Sequence, residues 1–296
     1  MYSAKLLLFG EHILLLGAPA VAVPVPAFGG QWAWHNTPVV SSPLLVFVEN
    51  LEAICPQIID TQKFAQEIAA GLFFKSNIPM GYGLGSSGAL CAAVYDRFSW
   101  EKTDSFSELQ AIFAKMEGFF HGHSSGIDPL TSYLNQPLLI ENKTEVAPVM
   151  PAAWSEPPVV FLLDSQLPRQ TGPLVQWFLE QSQQPDWRAD LQHKLLPAHQ
   201  VMVQGWLQAQ PAVFWPALRQ VSRFQFAHFH PMVPVTLRDI WQQSFEKQSI
   251  TFKICGAGGG GFLLGFAPDQ AAIDLLSPAY PVVFPFAKQT PLAHEN

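Results

Sequence analysis

The chain has 296 residues, 49% of them hydrophobic and only 13% charged, with a formal net charge of −7. Such a composition fills a core and excludes extended disorder, and the 16 Lys and Arg residues are too scattered for a nucleic-acid footprint. The length suits two lobes with a cleft between them.

Lys5 to Phe9 and Ile13 to Leu16 read as short apolar strands on either side of Gly10-Glu11-His12, and Ala20 to Val25 as a third. Between Ile13 and Val48 there is no Asp, Glu, Lys or Arg, yet the five prolines and His35 there argue against a membrane-spanning helix. Gly10-Glu11-His12 also breaks any apolar signal run, so a cytoplasmic protein with no membrane partner is expected. Gln31 to Val48 reads as further antiparallel sheet, and helical spacing begins near Thr61 with Phe64, Ile68, Leu72 and Phe73. Ser86 to Phe98 is an Ala-rich helix candidate. Ser105-Phe106-Ser107-Glu108 has capping-box spacing and opens a helix to about His121. Four prolines between Val146 and Pro158 mark a link between lobes, predicted as residues 1–150 and 151–296. Val159 to Leu163 follows as a strand, then a helical region from about Pro173 to Gln243. Strand-like sequence returns from Lys253 to Phe266. The three cysteines, Cys55, Cys91 and Cys255, lie far apart without CxxC spacing and read as core residues. The predicted plan is α+β.

The stretch Gly83-Leu84-Gly85-Ser86-Ser87-Gly88 precedes the Ala-rich helix. Glycines let backbone N–H groups turn toward one point, and a helix N-terminus favours negative charge, so the loop suits a phosphate. Gly83-x-Gly85-x-x-Gly88 also matches the dinucleotide fingerprint, with Asp104 at the acidic position, although capping beside Ser105 explains Asp104. A Walker A loop needs Lys where Ala89 stands. A plain glycine turn remains open at this point.

Three ordered segments resemble the signature motifs of the GHMP kinases. They are Lys5 to His12, the glycine-serine loop, and Lys253 to Phe262 with its run Gly256-Ala257-Gly258-Gly259-Gly260-Gly261. The run after Glu11-His12, and Glu117 followed by His121-Gly122-His123-Ser124-Ser125-Gly126-Ile127-Asp128, resemble the mevalonate kinase branch of that family. The resemblance implies a two-lobed fold of antiparallel and mixed sheets with helices, the active site lying in the cleft. It also implies ATP and Mg2+ as cofactors and a small alcohol, mevalonate, as acceptor for isoprenoid precursor synthesis.

By position, Asp128 is implied as the catalytic carboxylate, with Lys5 beside it stabilising the developing alkoxide. Ser87 and Glu117 are implied as ligands of Mg2+, and Gly83 to Gly88 as the phosphate wrap. Glu11, His12, Ser125 and Thr171 are implied on the substrate side, with Gly256, Ala257, Gly258 and Gly259 closing the site. Arg169 is a further polar candidate in the segment from Asp164 to Thr171, where Ser165-Gln166 replaces the family's common Thr-Lys. Ser124 stands where Pro is common, and the chain is shortened between Val48 and Pro79 relative to eukaryotic mevalonate kinases. Another acceptor, phosphomevalonate or a sugar, and a non-catalytic nucleotide-binding relative stay open, as does a homodimer.

Overall fold

The computed structural model describes residues 1–36, 42–143, 145–168, 171–247, 249–276 and 280–287. Two antiparallel sheets organise the chain. The first contains β1 (Tyr2–Phe9), β2 (Ala20–Trp34), β3 (Leu72–Ser76), β4 (Leu138–Glu141) and β5 (Glu145–Pro148), in the order β1-β2-β4-β5 with β3 also paired to β2. The second runs β7 (Thr251–Ile254), β8 (Phe262–Ala267), β6 (Val159–Asp164) and β9 (Val282–Val283). The α+β expectation agrees with this architecture.

Three local expectations need correction. Ile13–Leu16 is a 3₁₀ turn, not a strand, and it closes on Gly17 in a left-handed conformation. Gln31 to Val48 does not continue as sheet, because β2 ends at Trp34 and helix α1 spans Ser42–Ile54. Leu44, Phe47, Val48 and Leu51 are buried at i, i+3, i+4 and i+7, a helical stripe that outweighs the β-branched composition. Leu72 and Phe73 belong to β3, since helix α2 (Thr61–Ala69) stops just before Gly71, whose φ is +105°.

Helices α3 (Ser86–Phe98), α4 (Phe106–His121) and α5 (Ile127–Leu134) follow the glycine loop. The Ser105 hydroxyl accepts from the Glu108 N–H, as the capping-box spacing predicts. The second half adds α6 (Thr171–Gln181), α7 (Pro185–Asp190), α8 (Leu196–Leu207), α9 (Pro211–His228), α10 (Arg238–Lys247) and α11 (Gln270–Asp274).

One core lies behind the first sheet, where Phe64, Tyr95, Phe98 and Phe113 are buried from α2, α3 and α4. A second core bridges the halves: Phe9, at the end of β1, packs on Phe266 of β8 and on Trp206 and Phe214 of α8 and α9. The proline-rich link is pinned there too, with Trp154 against both Trp206 and Phe214. That shared core holds the end of β1, and so Gly10-Glu11-His12, against the second half.

Candidate active site

The glycine loop is fixed at its centre by β1: the Lys5 N–H donates to the Leu84 carbonyl at 2.8 Å. Gly85 caps α3 with φ +69°, and Ser86 and Ser87 open the helix. Gly126 caps α5 with φ +73° and puts Asp128 in its first turn. The two helices cross at Gly88, where a Cβ would lie 2.8 Å from both the Asp128 carbonyl carbon and the Pro129 nitrogen. Only hydrogen fits in that space, so the first turns of α3 and α5 pack side by side, and a helix N-terminus favours an anion.

Lys5, on β1, puts Nζ 2.5 Å from Asp128 Oδ1. Glu117 comes from α4 and is only 4% exposed. Its Oε1 accepts from Ser87 Oγ at 3.0 Å and its Oε2 from Ser124 Oγ at 2.5 Å. Burial, followed by the nearby Asp128 charge, pushes the Glu117 carboxyl up to about 7. A cation between these groups would relieve that strain. Among the described residues no three His, Cys, Asp or Glu side chains gather as a metal cage. The donors present are a hydroxyl and carboxylates, which fits a hard ion that takes a few protein oxygens and completes its shell with phosphate and water.

The remaining predicted residues divide between buried and exposed positions. Glu11 is buried, with Oε1 2.5 Å from Lys253 Nζ and both side chains 1% exposed. Its Oε2 is a buried oxygen with no hydrogen-bond partner among the described residues. His12 adopts φ +62°, uncommon for a residue with a side chain. Its Nε2 lies 3.0 Å from the Ala257 carbonyl, and its ring packs against Phe178 and Phe229. Ser125 is exposed, its carbonyl accepting from Gln110 Nε2. Thr171 is exposed at the start of α6, and Arg169 lies outside the described residues.

The third glycine run, Gly256 to Gly261, joins β7 to β8. The Gly259 N–H donates to Met232 O and the Gly261 N–H to Leu167 O, both at 2.7 Å. A Cβ on Gly260 would lie 2.6 Å from the Pro168 carbonyl, so the run threads between backbones. Beside it, Tyr82 of the first glycine loop packs on Phe262 and donates to Asp164 Oδ1 at 3.2 Å. The two glycine segments therefore meet across the two halves.

Sequence reasoning missed Lys253 as the partner of Glu11, and it missed the Ser124 and His121 contacts. A signal for the first existed: Glu11 and Lys253 are isolated opposite charges, each within an apolar run. No local pattern announces the other two.

Residues 52–136 match the family model described as GHMP kinases N terminal domain. A mevalonate kinase of Thermococcus onnurineus is 27% identical over 157 residues, covering 44% of this chain and 47% of that protein, so the match spans about half of that relative's length. Among solved structures, the Methanococcus jannaschii mevalonate kinase superposes with TM-score 0.67 at 15% identity, covering 95% of each chain. The Streptococcus pneumoniae phosphomevalonate kinase in complex with phosphomevalonate and AMPPNP gives TM-score 0.62 at 15% identity, covering 92% of this chain and 93% of that one. At those identities the structural likeness is one of fold. This chain has the fold of the GHMP kinases, and its residues 52–136 match the model of their N-terminal domain.

Proposed function

We propose that the protein transfers the γ-phosphoryl group of ATP to the primary hydroxyl of mevalonate. The observation that carries the reading is the convergence of Lys5, Ser87, Glu117 and Asp128, from four elements, at the crossing of α3 and α5. Residues 1–150 supply all four groups, and residues 151–296 supply the wall formed by the third glycine run.

In this reading the loop from Gly83 to Gly88 receives the phosphates on backbone N–H groups and on the α3 N-terminus. Asp128 takes the proton of the acceptor hydroxyl, or orients that hydroxyl for in-line attack. Lys5, already at 2.5 Å, keeps that carboxylate aimed and offers positive charge to the alkoxide as it forms. Ser87 and Glu117 would hold Mg2+, which would neutralise charge on the phosphates. Loop and third glycine run together exclude water from the transferred group.

Lys5 and Lys253 are each committed to a carboxylate. That supports an acceptor without a phosphate of its own over phosphomevalonate. The test is an ADP-release assay at saturating MgATP with mevalonate, phosphomevalonate and galactose as acceptors. Mevalonate-dependent turnover is expected. Turnover with another alcohol alone would overturn the substrate, and nucleotide binding with no transfer to any of them would overturn the catalytic reading.

A further inference from the structure

Glu117 has two carboxylate oxygens, and each receives a hydroxyl. Ser87 donates to Oε1 at 3.0 Å, and Ser124 donates to Oε2 at 2.5 Å. Ser124 is itself held, because its Oγ accepts from the Gly126 N–H at 3.0 Å. The turn that carries it lies hard against α4, where a Cβ on Gly126 would sit 2.3 Å from the Gln110 carbonyl oxygen. Gln110 Nε2 adds a bond to the Ser125 carbonyl at 3.0 Å. Ser124 is therefore a rigidly placed donor, and it stands where a proline would have none.

The Ser87 hydroxyl has one proton and two acceptors in range, Glu117 Oε1 and His121 Nε2, both at 3.0 Å. His121 ends α4 and reaches Ser87 from the solvent side. When Oε1 is needed for another partner, the Ser87 proton can swing to the imidazole in the tautomer that leaves Nε2 as acceptor. Ser87 Oγ then keeps a hydrogen bond while its lone pairs face the site.

We propose that Ser124 and His121 are positioning residues: Ser124 anchors Glu117 by Oε2 so that Oε1 faces the site, and His121 receives the Ser87 proton when Ser87 and Oε1 turn to a cation. The inference rests on the reading of Ser87 and Glu117 as Mg2+ ligands. Groups that orient a metal ligand commonly carry about tenfold or more in metal affinity.

The test is Mn2+ binding in the presence of ADP, followed by the loss of the free Mn2+ electron-spin signal, in the full chain. Ser124→Ala should weaken Mn2+ about tenfold, and Ser124→Thr, which keeps the hydroxyl, should stay within about twofold of the wild type. His121→Leu, at an exposed position, should weaken Mn2+ several-fold, while His121→Gln keeps an acceptor and most of the affinity. With Ser124→Ala, turnover should recover at high Mg2+, because Asp128 and Lys5 are untouched. An affinity for Ser124→Ala within about twofold of wild type overturns the anchoring role. Equal losses in the Ala and Thr variants overturn it as well, since the shape of the turn would then be what matters. Unchanged binding in His121→Leu removes the second half. A wild-type protein that takes up no Mn2+ with ADP rejects the metal reading itself, a result distinct from a binding wild type with indifferent variants.

Discussion

Replacing Lys253 by Met should be among the most damaging single changes in this protein, although no predicted catalytic role attaches to Lys253. Its ammonium lies 2.5 Å from Glu11 Oε1 and donates to the Ile254 carbonyl at 2.9 Å, in a pair with 1% exposure on each side. Methionine fills much of the same space but leaves the Glu11 carboxylate buried without its counter-charge. Removing one partner of a buried pair costs about 3–5 kcal/mol, because the remaining charge has lost water as well as its ion. At roughly 2–4 °C per kcal/mol for a chain of this size, the unfolding midpoint should fall on the order of 10 °C.

Acid should reduce the penalty. Burial pushes the Glu11 carboxyl up, and Lys253 is the main group pulling it back down. Without Lys253 the folded state prefers the protonated acid, so the variant gains stability relative to wild type as pH falls toward the ordinary carboxylate range. The double variant Glu11→Leu/Lys253→Met should recover most of the loss, giving a coupling comparable to the single effect. Scanning calorimetry of the four proteins at pH 5 and pH 7.5 decides it. A drop below about 2 °C for Lys253→Met, or a double variant equal to the sum of both singles, would refute the buried-pair argument.

Asp128→Asn should lower turnover by about 10²–10⁴-fold, the usual contribution of a positioned acid or base, while nucleotide binding by titration calorimetry stays near wild type. Gly88→Ala forces a methyl to within 2.8 Å of the α5 backbone. It should cost about 1–3 kcal/mol, seen in thermal unfolding, and reduce turnover as Asp128 moves away from Lys5. His199 is buried with Nε2 2.7 Å from the Pro19 carbonyl, and burial lowers its pKa from 6.5 to about 4. The unfolded chain therefore takes up this proton first. Stability from His199 is whole above pH 6.5 and is lost as pH falls toward 4, about 3 kcal/mol in all. His199→Gln should flatten that part of the stability–pH curve measured by denaturant titration; an unchanged slope would count against it.

Legibility in this sequence follows how local the determining physics is. The α3 cap, the α4 capping box and the Asp128 turn rest on glycine conformations and short-range hydrogen bonds, so their spacing shows in the sequence. Gln31 to Val48 reads as sheet because its aromatic and β-branched content speaks for strands, while the burial stripe of α1 has the helical period; packing of Phe47 against Phe119 and Phe120 of α4 supplies what composition does not. The Glu11–Lys253 pair joins positions 242 apart, and no window along the chain contains both. Ser124 is the instructive intermediate. As a sequence feature it is only a departure from proline, and its meaning depends on which way a buried glutamate turns on a neighbouring helix. A substitution that looks like the loss of a turn-former is, in three dimensions, the gain of a donor at 2.5 Å to the buried Glu117 carboxylate. Departures from a motif are thus best judged by the hydrogen bonds they make, and here Ser124 joins Glu117 to the turn before α5 by two of them.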